Sequence, residues 1–348
     1  VSSYRGRRAA WIENDALRVT VLHEGGHIAE VLHKASGVNP LWTPPWPSIE
    51  HSAYRREVEA HAIYGSGVDA SLLAGILGHN LCLDIFGGPS DEEAACGLPV
   101  HGEASRVVYD VAVDGAALQM RARLPLASLS VERRLELHGA AVRIREEVQN
   151  ESGVDRPVAW TQHVTLGPPF LERGATEFRA SATRSKVFEG DFGADDYLVA
   201  GAEFDWPHAP ARDGSRADLR RLPPAARSSA YTAHAMDPAR EHAFFAAFSP
   251  AARLSFGYVW RRADFPWLGI WEENASRQHA PWNGRTLTRG MEFGVSPFPE
   301  SRRQMVDRGR LFDVPCFRWI PAGSRIAAEY WAVADARDAI PDTLEWPA

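Results

Sequence analysis

Apolar residues recur with a period of two in segment after segment of this chain, and no stretch sustains the i, i+3, i+4, i+7 stripe of an amphipathic helix. Leu17, Val19 and Val21 alternate with Arg18 and Thr20. Gly25-Gly26 then interrupts and Ile28 to Val31 resumes, which predicts strand, turn and strand. Leu129, Val131, Leu135 and Leu137 are followed, past His138-Gly139, by Val142, Ile144 and Val148. That pattern predicts a long hairpin with one wet face. Residues 254–258 and 325–331 alternate again. Residues 239–247 are the best candidate for a short helix, and 209–227, rich in Pro, Arg, Asp and Gly, reads as a surface loop or insertion. Many strands without intervening helices predict one all-β domain over residues 1–348, a large antiparallel sandwich or barrel with few short helices.

Charge and cysteine content narrow the function. A net charge of −7 argues against a surface that tracks phosphates, so no nucleic-acid partner is expected. No run of 18 apolar residues marks a membrane span, and the basic N-terminal residues lead into no apolar signal segment. Cys82, Cys96 and Cys316 include no C-x-x-C pair, so neither a disulfide framework nor a zinc knuckle is expected. The expectation is a cytoplasmic protein, monomer or homodimer, that needs no cofactor.

One motif points elsewhere. His23-Glu24-Gly25-Gly26-His27 matches H-E-x-x-H, and His33 stands where a third zinc ligand would follow. Zinc proteases carry this motif on a helix, which turns both imidazoles towards one metal. Here a strand precedes it, and two adjacent glycines would cost a helix about 2 kcal/mol relative to alanine. The context predicts a polar hairpin whose histidines lie on opposite arms.

Four other segments carry catalytic residue types inside apolar runs. They are Gly97 to Glu103 with His101, Val158 to Val164 with Gln162 and His163, Leu268 to Asn274 with Trp271, Glu272 and Glu273, and Gly290 to Pro299 with Glu292. A histidine among such neighbours is more often a hydrogen-bonded core or turn residue. A glutamate between Met291 and Phe293 is more suggestive, because a carboxylate is costly to bury without a partner.

In this order the segments resemble the galactose mutarotase (aldose 1-epimerase) superfamily. Residues 13–22 leading into Gly25-Gly26-His27-Ile28 resemble its opening hairpin, and His101-Gly102 its HG pair. Asn150 through His163 resembles the segment that presents its acid histidine, and Met291-Glu292 followed by Pro297 its late glutamate. The resemblance spans about residues 10–335. It implies a β-supersandwich with a sugar on one face, and interconversion of sugar anomers without a metal. Glu292 would be the base, His163 the acid, and His101 a helper at the ring oxygen. The family's arginine upstream of the HG pair has no counterpart in residues 77–84, where His79 and Asn80 are the donors left to replace it.

Glu103, Gln162, Trp271 and Glu273 complete the expected sugar contacts. Strand parity puts Trp271 and Glu273 on one face and Glu272 on the other. Trp160, Trp267 and Trp282 lie in or beside the same segments. The partner implied is a small-molecule sugar. Three alternatives stay open: a non-catalytic sugar-binding protein on the same fold, a lyase, isomerase or hydrolase on a related sandwich, and a zinc hydrolase. A glycosidase would need two carboxylates flanking one bond, for which Glu273 and Glu292 are the candidate pair.

Overall fold

The computed structural model describes residues 2–190 and 192–347. The strands that carry the argument are β1 (Leu17–Leu22), β2 (Ile28–His33), β3 (His79–Asp84), β4 (Leu129–His138), β5 (Ala141–Asn150) and β6 (Arg156–Leu166). They continue with β7 (Ser228–Met236), β8 (His242–Ser249), β9 (Leu254–Arg261), β10 (Trp267–Asn274), β11 (Leu287–Gly294) and β12 (Arg325–Ala336).

Among the described residues, a twelve-stranded sheet runs Ser3–Tyr4, Arg7–Glu13, β1, β2, β3, β6, β11, β10, β7, Ala182–Val187 and Glu203–Asp205. Arg318–Ile320 pairs with the start of β6. An eight-stranded sheet runs Glu177–Ala180, β8, β9, β12, β5, β4, Ala117–Leu124 and Asp110–Asp114. The ladders are antiparallel throughout, and the two sheets pack face to face as the alternation predicted. Helix is confined to short pieces, with α-helices α1 (Ala70–Leu73), α2 (Asp91–Ala95) and α3 (Arg302–Arg308). None among the described residues is long and apolar enough to cross a membrane.

Side chains of alternating parity fill the space between the sheets. Trp160, Val164, Met291 and Phe293 come from the large sheet, while Leu135, Val148, Tyr258, Trp260 and Tyr330 come from the small one. Trp260 stacks on Phe293 with ring centroids 4.3 Å apart. A polar network runs through this core. Arg133 meets Glu146 at 2.6 Å, and the Glu146 carboxylate also accepts from Trp160 Nε1 at 2.8 Å, Gln162 Nε2 at 2.6 Å and Tyr330 OH at 2.7 Å. Four partners around one buried carboxylate offset its desolvation.

Two local expectations are corrected. Residues 239–247 form no helix: most of them belong to β8, an interior strand of the small sheet. Phe245 and Ala247 face the main core, while Phe244, Ala246 and Phe248 pack under Ile340, Leu344 and Trp346. With both faces covered, the polar residues that reveal a strand are missing. Residues 209–227 are more than a loop. His208–Pro210 pairs with Arg216–Asp218, and Ala209 and Leu219 join a small core with Val187, Leu198 and Phe204.

Candidate active site

His163 on β6 and Glu292 on β11 are directly paired across the sheet, and both side chains leave it on the face turned away from the second sheet. His163 Nε2 lies 3.0 Å from Glu292 Oε1. Next along the sheet, β10 pairs Gly269 with Glu292 and Gly290 with Trp271, and β7 pairs Tyr231 with Trp271. A side chain at Gly290 would strike Glu292 Oε1, so the missing Cβ leaves room for the carboxylate.

The HG segment crosses over this face. His101 adopts φ of +66° and Gly102 φ of +75°. A Cβ on Gly102 would collide with the carbonyl of Leu83, so only glycine lets the turn lie this close to β3. The turn sets the His101 ring edge-on to that of His163, with centroids 5.0 Å apart, and Cys82 Sγ lies 2.8 Å from His101 Nδ1. Thr165 Oγ1 stands 3.2 Å from His163 Nδ1.

His101, His163 and Glu292 line a cavity of about 250 Å3. Trp271, Trp282, Phe86, Phe192 and Tyr231 supply much of its wall, and Asp69 and Arg277 add opposite charges. The Nε1 donors of Trp271 and Trp282 are buried without a hydrogen-bond partner among the described residues.

Burial governs the charge states. It pushes the Glu292 carboxyl up to about 8, opposed in part by a hydrogen bond from Tyr231. It holds His163 well below the usual imidazole range, with the neighbouring His101 adding to the effect, and lowers His101 to about 4. At neutral pH burial therefore keeps His163 neutral and favours the protonated carboxyl of Glu292, one proton for the two groups. A buried carboxyl and imidazole whose oxygen and nitrogen stand 3.0 Å apart, with that oxygen free of any hydrogen-bond partner among the described residues, are equipped for proton transfer to and from a small molecule.

Of the residues expected to form the site, Glu292, His163, His101 and Trp271 line this cavity, and the others do not. His79 and Gln162 have the opposite strand parity and face the core. His79 Nδ1 meets Tyr258 OH and its Nε2 meets Gln162 Oε1, each at 2.9 Å. Asn80 has the right parity, pairing with His163, but lies fully buried outside the cavity lining. Glu103 accepts from the Ala127 amide at 2.8 Å and borders a different depression, with His51 and Arg106.

Glu273 shares the face of Trp271, and Glu272 turns away to Ser228 and Tyr197, as parity required. Yet Glu273 lies behind the cavity wall, accepting from the amides of Ser276 at 2.8 Å and Arg277 at 3.0 Å. Its Oε1 is thereby engaged by the loop after β10, and Glu292 is the one glutamate among the described residues lining the cavity. Trp282 borders the cavity, whereas Trp160 lies between the sheets and Trp267 donates to Pro315 O.

Tyr231, Asp69, Phe192 and Arg277 were missed. Arg277 lies in the loop after β10, where it forms an ion pair with Glu273 at 3.5 Å.

The H-E-x-x-H segment is a turn between β1 and β2, with Gly25 and Gly26 at φ of +78° and +59°. His27 Nε2 lies 3.0 Å from Ser105 O, and His33 Nδ1 meets Ser36 at the far end of β2. Among the described residues no group of three or more His, Cys, Asp or Glu side chains is arranged to hold a metal ion.

No protein-family model and no curated protein sequence matches the chain. Solved structures do match. A galactose mutarotase-like protein from Lactobacillus casei ATCC 334 gives a TM-score of 0.56 at 14% identity, over 94% of this chain and 100% of that one. A protein of Escherichia coli K12 provisionally named an aldose 1-epimerase gives 0.61 at 11%, over 95% and 100%. One from Klebsiella pneumoniae subsp. pneumoniae MGH 78578, also provisionally so named, gives 0.63 at 12%, over 93% and 78%. The chain shares the fold of these solved structures.

Proposed function

We propose that the cavity binds one aldose and interconverts its α and β anomers by acid–base opening of the ring. The observation that carries this reading is the meeting of His163 Nε2 and Glu292 Oε1, 3.0 Å apart in one cavity. At about 250 Å3 the cavity is smaller than the roughly 300–1,000 Å3 of a drug-sized site, which suits a single small ring. The indole and phenyl walls match the C–H face of a pyranose, and the unpartnered indole N–H groups match its hydroxyls.

Ring opening needs a proton taken from the anomeric hydroxyl while one is given to the ring oxygen. The C1–O5 bond then breaks and C1 becomes an aldehyde. Rotation about C1–C2 and reversal of both transfers close the ring on the other face. Glu292 as base and His163 as acid require the carboxylate–imidazolium form, which differs from the form favoured by burial only by one proton moved across 3.0 Å. After opening, the pair again holds a single proton, so the site is ready for closure without exchange with bulk water. His101, whose Nδ1 faces the Cys82 thiol, stands beside His163 to assist at the ring oxygen. Neither step makes a nucleophile from water, so the reaction as written draws on no metal.

The test is saturation transfer by NMR between the two anomeric protons across a panel of aldoses. Exchange above the buffer rate for at least one aldose supports the reading. A sugar that perturbs the protein without faster exchange would make it a binding protein, and no exchange for any aldose would end the epimerase assignment.

A further inference from the structure

The loop after β10 brings an arginine into the cavity. Arg277 is half-buried, and its guanidinium lies over three rings, with Cζ 4.8 Å from the Trp282 centroid, 5.6 Å from Trp271 and 5.9 Å from Phe192. Glu273 holds it from behind at 3.5 Å, and its guanidinium makes no hydrogen bond to the protein among the described residues. Stacking on aromatic faces fixes the plane of the fork and leaves its in-plane N–H groups for a ligand. Asp69 lines the same cavity, close enough for its charge to support that of the guanidinium.

A charge balance over the cavity then decides what the fork can receive. Among the described lining residues, Arg277 is the one permanent cation. His101 and His163 are held neutral by burial, and Glu292 is uncharged below about pH 8. Against the single positive charge stand the carboxylates of Asp69, in the lining, and Glu273, behind it. A phosphate or carboxylate on the sugar would bring a further negative charge into a partly enclosed cavity whose cation is already matched, which is costly. A hydroxyl both donates and accepts. Arg277 can donate to neighbouring hydroxyl oxygens and Asp69 can accept their protons, with no net charge added.

We propose that Arg277, backed by Glu273 and paired with Asp69, is the specificity determinant of this cavity, admitting uncharged sugars through their hydroxyls and excluding phosphorylated or carboxylated ones. The proposal rests on the reading of the cavity as an aldose site and goes beyond it in fixing the charge class of the sugar.

The experiment is calorimetric titration of the full chain at pH 7 with matched sets: D-galactose, D-galacturonate and D-galactose 6-phosphate, and the corresponding D-glucose series. The expected result is a Kd for at least one neutral sugar tenfold or more below those of its two anionic counterparts. Arg277→Met should raise the neutral Kd at least tenfold, with Arg277→Lys in between because charge without a fork restores only part. Asp69→Ala, at a half-buried position that spares the fold, should weaken neutral binding and improve binding of the uronate at least fivefold. An anionic sugar bound more tightly than its neutral counterpart by the wild type would overturn the proposal, as would unchanged affinities in both Arg277→Met and Asp69→Ala. Binding of none of the six compounds would overturn the aldose reading itself, a result distinct from binding with the wrong charge preference.

Discussion

His163 and Glu292 occupy directly opposed positions on β6 and β11, and their side chains meet at 3.0 Å on the outer face of the large sheet. Two strand backbones thus fix the separation of the proposed acid and base, and a strand is a stiffer mount than a loop. Burial acts on the two in opposite senses, raising the carboxyl and lowering the imidazole, so both favour the uncharged form.

Removal of either member should abolish most of the activity. Glu292→Gln and His163→Ala are each expected to slow anomer exchange by at least about 10²-fold, the usual contribution of a positioned acid or base. The rate is read by saturation transfer, and circular dichroism shows whether the variants remain folded. His101→Ala should cost less, because the pair survives it. Folded variants with near wild-type rates would remove these residues from the chemistry.

The pH profile should report the pair. Burial raises Glu292 to about 8 and holds His163 far below 6.5, so the single-proton form spans neutral pH. Above about pH 8 the carboxyl ionises beside a neutral imidazole, the pair holds no proton, and kcat/KM should fall about tenfold per pH unit. Towards acid the limb should come only well below pH 6.5, where the imidazole gains a second proton. A profile that rises through pH 8 would contradict the proton count.

Much of the fold was legible because β4, β5 and β12 keep one face wetter than the other, and because β1 and β9, though almost wholly buried, alternate apolar side chains with Arg18, Thr20, Ser255 and Gly257. β8 was not, since its phenylalanines and alanines are covered on both faces. Helices α2 and α3 were legible in principle, because Ser90 with Glu93 and Ser301 with Gln304 form capping boxes. The cavity residues that could be read were those in strand motifs. Within such a motif parity separates His163 from Gln162, one residue away and on the other face. Arg277 and Asp69 reach the cavity from loops, whose course depends on long-range packing and leaves no periodic trace.

Tryptophan substitution should separate cavity from surface. Trp271 is 7% exposed and lines the cavity, whereas Trp319 is 54% exposed and lies on a strand paired to the start of β6. Trp271→Ala is expected to raise the Kd of the preferred sugar at least tenfold, against a change within twofold for Trp319→Ala, and to remove most of the sugar-induced change in emission. Normal sugar binding by Trp271→Ala would mean that the ring does not form the sugar platform.

The network behind the site makes a separate prediction about stability. Arg133 and Glu146 are both buried between the sheets, and Glu146 also accepts from Trp160, Gln162 and Tyr330. Arg133→Met leaves a carboxylate in the core without its cation, which should cost about 3–5 kcal/mol in a urea titration. Adding Glu146→Gln should recover a large part of that loss, since the amide oxygen can still accept from Trp160 and Gln162 and its NH2 can donate to the Tyr330 hydroxyl oxygen, while the unpaired charge is gone. Neither residue borders the cavity, so the exchange rate per folded molecule should stay within a few-fold of wild type. Equal stability of Arg133→Met and wild type would show that the ion pair is dispensable. A recovery in the double variant would show instead that the cost lies in the uncompensated charge and not in lost packing of the arginine stem.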